Sequence, residues 1–130
     1  MSQPIIFISH FRVREGSIDG LRRLTGDVTQ AIEAEKPRTL VFLNYLDAEG
    51  ANVTFVHAFA DAESMDLHIE GAAERSKAAY EFLEPDGWEI YGAPSDGALE
   101  MLRGAAEASG VTLSVQPRYL DGFLRLAPSR

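Results

Sequence analysis

Residues 39–70, TLVFLNYLDAEGANVTFVHAFADAESMDLHIE, constrain the fold more than any other stretch. Two runs rich in β-branched and aromatic residues, 39–46 and 53–60, flank Asp-Ala-Glu-Gly-Ala-Asn, in which Gly50 is free to take a positive φ. With Leu46 opposite Val53, the two-residue side-chain period sorts this hairpin into two faces. Leu40, Phe42, Asn44, Leu46, Val53, Phe55, His57 and Phe59 share one face. Val41, Leu43, Tyr45, Thr54, Val56 and Ala58 share the other. The first face is a bulky aromatic floor with one amide and one imidazole set into it, the composition of a small-molecule pocket.

The flanking segments extend this hairpin into a sheet. Residues 5–13 form a strand with Ile5, Phe7, Ser9, Phe11 and Val13 on one face and Ile6, Ile8, His10 and Arg12 on the other. Ser17 is placed to N-cap a helix in which Ile18, Leu21, Leu24, Val28 and Ile32 recur at helical spacing. Lys36-Pro37 ends it. After the hairpin, Asp61 caps a helical segment with Met65, Ile69, Ala72, Ala79 and Leu83 inward, and Gly71 divides it into a short helix and a longer one over 72–83. Pro85-Asp86-Gly87 reads as a turn and 88–93 as a short strand. The order is βαββαβ, which predicts an α+β, ferredoxin-like antiparallel sheet with both helices on one face. An internal echo between FRVREGS at residue 11 and FADAES at residue 59 agrees with two halves.

The remainder predicts a helix capped by Ser95, with Leu99, Leu102, Ala105 and Ala106 inward and Gly110 closing it. A strand follows over 111–116, and an extended segment over 119–126. Residues 1–94 are thus read as the ferredoxin-like core and 95–130 as a C-terminal helix–strand extension packed on the same domain. Two helices cover only one face of the sheet, yet Ile6, Ile8, Val41, Leu43 and Val56 lie on the other. An apolar face of that kind is a contact surface, and its simplest cover is the same sheet of a second chain in a homodimer.

Composition bounds the partners and the chemistry. A chain of 130 residues is one domain's worth. It has no cysteine, hence no disulfide, thiolate nucleophile or cysteine-based metal site. The net charge of −8 argues against nucleic acid, whose affinity rests on lysine and arginine neutralising phosphates. Arg12 with Arg14, Arg22 with Arg23, and Lys36 with Arg38 read as solvated surface charge. No apolar run approaches the ~18 residues of a membrane span. The start, Met-Ser-Gln-Pro, lacks the features of a signal peptide, so a cytoplasmic location is expected. Gly-rich phosphate loops and Gly-x-Ser-x-Gly elbows are absent.

The run FISHFRVREG at 7–16, the hairpin TLVFLNYLD…VTFVHAFAD and the following AESMDLHIE resemble the dimeric α/β-barrel superfamily, and within it the antibiotic-biosynthesis monooxygenase-like domains. The resemblance covers residues 5–91. It implies a dimer with the two sheets face to face, helices outside, and a ligand cavity between sheet and helices in each subunit. Some members oxygenate polycyclic phenols or quinols with O₂ and no metal or flavin; others bind and degrade haem. Members often carry Glu and Trp in the second hairpin strand, where this chain has His57 and Phe59. Haem-degrading members are similar in pairing an Asn on the first strand with a Trp on the third. Here the matching positions are Ser9 and Phe59, which argues against haem even with His68 available as a ligand.

Two accounts of His57 and Asn44 stand side by side. In one they are a buried imidazole and amide satisfied by each other, by a hydroxyl or by water. In the other they are catalytic: His57 takes a proton from a phenolic or enolic substrate and Asn44 orients a carbonyl or oxygen. The pocket in that case has Phe42, Phe55 and Phe59 as its floor and Met65, His68 and Ile69 as its roof. His68 reads equally as a solvent-facing residue at the helix edge. His10 reads as an interface residue; with Arg12 beside it, a cross-dimer hydrogen bond to a carboxylate and a chemical role stand equally open. Trp88, Tyr80 and Tyr91 read as core or pocket wall, and the histidine spacing predicts no metal site. The function expected is a cofactor-independent monooxygenase acting on a small aromatic or quinol-type substrate. The alternative is a non-catalytic ligand-binding or stress-associated dimer.

Overall fold

The computed structural model describes residues 3–125. The elements run β1 (Ile5–Val13), α1 (Ile18–Glu35), β2 (Thr39–Leu46), β3 (Asn52–Phe59), α2 (Ala62–Ile69), α3 (Ala72–Ala79), β4 (Leu83–Tyr91), α4 (Asp96–Ser109) and β5 (Leu113–Gln116). They build one five-stranded sheet in the order β2-β3-β1-β4-β5. The first four strands pair antiparallel, and this is the α+β, ferredoxin-like arrangement that the alternation of patterns predicts. β5 joins the β4 edge in parallel, with α4 as the crossover.

The hairpin closes with Leu46 opposite Val53, as the side-chain period requires. Asp47 fixes the turn: its Oδ1 accepts from the backbone N–H of Ala51 and Asn52, while Gly50 takes φ 72°. Further along β2 the pattern slips. Thr39 faces Phe59 and Val41 faces Ala58, leaving Leu40 as an extra residue. This bulge transfers the helix-facing position expected of Leu40 to Thr39, whose hydroxyl then reaches α2.

β4 departs from expectation at both ends. The long helix expected to reach Leu83 stops at Ala79, and Leu83 is already strand. The expected turn Pro85-Asp86-Gly87 lies within β4, because a bulge absorbs it: Phe11 pairs with Pro85 and His10 with Gly87, so Asp86 has no partner. Proline is tolerated there since β5 pairs only with Trp88 to Tyr91, leaving Pro85 on an open edge that needs no N–H.

Capping follows the sequence with one exception. Asp61 accepts from the Ser64 N–H and Ser95 from the Ala98 N–H, whereas Ser17 stands at its N-cap position without a side-chain bond. Gly71 at φ 81° separates α2 from α3, and Gly110 ends α4. The core between sheet and helices holds Ile5, Phe59, Met65, Leu83 and Ile90, each at most 1% exposed. Of the extended segment expected over 119–126, residues 119–125 are not strand and Leu126 lies outside the described residues. Leu120 and Phe123 are exposed there.

On the opposite sheet face Ile6, Ile8, Val41 and Val56 are half-buried, Leu43 is 48% exposed and Tyr45 58%. His10 has a carboxylate partner within its own chain. Its Nε2 lies 2.5 Å from Glu89, which also accepts from the Tyr91 hydroxyl. Those two bonds hold the Glu89 carboxyl below the usual carboxylate range.

Candidate active site

A cavity of about 350 Å³ lies between the sheet and the helices, within the range of small-molecule sites. Its floor is built from alternate residues of four strands: Phe7, Ser9 and Phe11 from β1, Phe42 from β2, Phe55 and His57 from β3, and Trp88 from β4. On α1, Leu24 and Val28 line the cavity together with the buried Leu21 and Ile32. Helices α2 and α3 add His68, Ile69 and Arg75, Tyr80 follows at the end of α3, and α4 closes the far side with Met101 and Ala105. Met101 and Tyr80 are also exposed at the surface, so the cavity opens beside them.

Backbone geometry fixes the His57 tautomer. Its Nδ1 lies 3.0 Å from the Phe7 carbonyl. A carbonyl only accepts, so Nδ1 carries the proton and the lone pair sits on Nε2. Among the described residues Nε2 has no protein partner, and it is not sealed from the cavity. Burial pushes the pKa of His57 from 6.5 down to about 4, against the Phe7 bond, and the charge of Arg75 depresses it further.

His68 is buried and not solvent-facing, at 5% exposure. The Thr39 hydroxyl and His68 Nδ1 share a hydrogen bond of 2.7 Å. Burial pushes its pKa down to about 3, helped by the positive charges of protonated His57, Arg75 and Lys36. The two imidazoles meet at 5.0 Å between centroids, and Phe42 lies 5.2 Å from His57 and 6.1 Å from His68. Both rings are therefore neutral near pH 7, within an aromatic shell.

The structure brings Phe42, Phe55, His57, His68 and Ile69 together around one space. Phe59 and Met65, both fully buried, stand behind that wall in the core, with Phe59 stacked 6.2 Å from His57. Asn44 is elsewhere: its amide donates to Thr29 Oγ1 at 3.3 Å, its Oδ1 is buried without a partner, and it does not line the cavity. It does not satisfy His57 either. Sequence reasoning missed Thr39, hidden by the bulge, and Arg75. Arg75 was within reach, because Ala72, Arg75, Ser76 and Ala79 follow the i, i+3, i+4, i+7 spacing of an inward stripe. No group of three metal-ligating side chains forms among the described residues, and no described helix is long and apolar enough to cross a membrane.

Comparison with solved structures places this architecture. MupZ from Pseudomonas fluorescens superposes with a TM-score of 0.69 at 15% identity, over 94% of this chain and 91% of its own. SnoaB, a cofactor-independent oxygenase from Streptomyces nogalater, gives 0.59 at 12% identity, over 72% of this chain and 96% of its own. A candidate antibiotic biosynthesis monooxygenase from Caulobacter crescentus gives 0.60 at 14% identity, over 68% of this chain and 88% of its own. The chain thus has the ferredoxin-like fold of the antibiotic-biosynthesis monooxygenase-like domains, as the sequence resemblance implied. Coverage of 94% of this chain against MupZ means that the match reaches into residues 95–130. No family model and no curated protein matches the sequence.

Proposed function

We propose that the protein is a cofactor-independent monooxygenase acting on a small aromatic or quinol-type substrate held in this cavity, with His57 as general base. The observation that carries the reading is the His57 tautomer: Nδ1–H is tied to the Phe7 carbonyl, and a neutral Nε2 remains for a substrate proton. In an acidic ring CH₂ or phenol, that proton loss leaves an electron-rich anion able to give an electron to O₂. The full reaction converts a ring CH₂ and O₂ into a ring carbonyl and water, so the substrate itself supplies every electron and no cofactor is called for. The aromatic floor of Phe42 and Phe55 suits a planar ring. SnoaB, of the same fold, is a cofactor-independent oxygenase.

In this reading Phe42, Phe55, His68 and Ile69 contact the substrate, and Phe59 and Met65 support them from behind. Asn44, bonded to Thr29 away from the cavity, is not assigned a part in the chemistry. The working unit is a homodimer closed through Ile6, Ile8, Val41, Leu43 and Val56, which would cover the open sheet face. Oxygen uptake with a panel of hydroquinones, anthrones and polycyclic phenols tests the activity. Uptake lost in His57→Gln supports it. No uptake with any of them, alongside retained ligand binding, leaves a non-catalytic binding protein.

A further inference from the structure

We propose that the cavity selects a ligand with an apolar body and one oxyanion, and that Arg75 is the residue that binds the oxyanion. The inference rests on the cavity being the ligand site and adds the chemical class of what enters it. Arg75 lies on α3, half-buried, and is the one cavity-lining side chain ionised at neutral pH among the described residues. No Asp or Glu joins it in the lining, and both histidines there are neutral.

A structural duty does not exhaust this guanidinium. Nη2 donates to the His68 carbonyl at 2.6 Å and Nη1 to the Glu70 carbonyl at 3.1 Å, tying α3 to the end of α2. A guanidinium has five N–H donors, so three remain. Arg12, Arg14 and Arg38 each have a carboxylate within ion-pair distance; Arg75, like Arg22, Arg23 and Arg103, makes none of the ion pairs among the described residues, and of these four it alone lines the cavity. Burial lowers its pKa, the mark of a cation partly stripped of water, and only the field of Glu35 opposes that. A desolvated cation with free, forked donors fits a carboxylate, a sulfonate or an ionised phenol in the otherwise apolar space. On a chain of net charge −8, this local cation is what would let an anion bind there at all.

Two dyes that share one aromatic frame test the proposal. 1-Anilinonaphthalene-8-sulfonate carries the oxyanion and N-phenyl-1-naphthylamine lacks it. Trp88, the single tryptophan, lines the cavity, so energy transfer from it to a dye reports occupancy at this site. In Arg75→Met the sulfonate dye should bind about tenfold or more weakly while the neutral dye is unchanged, since hydrogen bonds to charged groups are worth that much. Arg75→Lys should keep most of the preference. Equal weakening of both dyes would make Arg75 purely structural and overturn the proposal. So would a wild-type protein that takes the neutral dye and refuses the sulfonate. If neither dye binds, the oxyanion proposal falls, while the oxygenase reading still stands or falls on oxygen uptake. Oxygen uptake plays no part here, so a protein without turnover can still pass.

Discussion

The His57 and His68 imidazoles meet edge to face, with planes at 76° and centroids 5.0 Å apart, so a proton on either ring opposes a proton on the other. Each pKa falls below the 6.5 of an unfolded chain, to about 4 and about 3. Between those values and 6.5 the unfolded state binds more protons, so stability rises with pH across this window. It is fully present above pH 6.5 and drains away as pH falls towards 4 and then 3, by at most about 1.4 kcal/mol per pH unit for each ring. Thermal melts from pH 8 to pH 4 should show Tm falling below pH 6.5. His68→Phe should flatten that slope, and an unchanged slope would refute the assignment.

Replacing His57 by Gln keeps the volume and removes the basicity. If His57 is the base, turnover should drop ~10²–10⁴-fold with Tm nearly unchanged. Because the ring stays neutral down to about pH 4, the acid limb of the wild-type kcat/KM profile should lie well below pH 6.5. Full activity in a well-folded His57→Gln protein removes the residue from the mechanism.

Thr39→Val tests the bulge. Valine matches the shape of threonine but leaves His68 Nδ1 without its partner in a buried setting. A loss of about 1–3 kcal/mol is expected, read as a lower urea midpoint with an unchanged slope. A neutral result would mean that water replaces the hydroxyl.

The open sheet face makes a separate prediction. Val56→Asp places a charge at the centre of the proposed dimer contact, where an unpaired buried charge costs on the order of several kcal/mol. Sedimentation should then show monomer where the wild type sediments as dimer. A wild-type monomer at micromolar concentration would end the dimer proposal.

The hairpin was legible because its two runs alternate cleanly and the turn fixes their register, so His57 was placed correctly on the helix-facing side from spacing alone. Thr39 was not, since an inserted residue reverses parity without leaving a mark in composition. Asn44 has the right parity but the wrong depth: a two-residue period assigns a face, whereas which helix lies over that face is decided by packing. β4 is not legible in the sequence, because Pro85 and Gly87 signal a turn unless a bulge on an edge strand absorbs them. The roof from α4 was beyond reach, as nothing local says that a parallel fifth strand will draw that helix across the cavity.

Among the described helices α3 alone buries no residue, and it joins α2 through the left-handed Gly71 and two bonds from Arg75. Its detachment therefore exposes little apolar surface and costs far less than global unfolding. The amides of Ala72–Ala79 should exchange with deuterium long before those of β1 and β3. A ligand gripped by Arg75 would slow that exchange, so the residence time of the bound molecule becomes a property of one eight-residue helix and not of the sheet that shapes the floor.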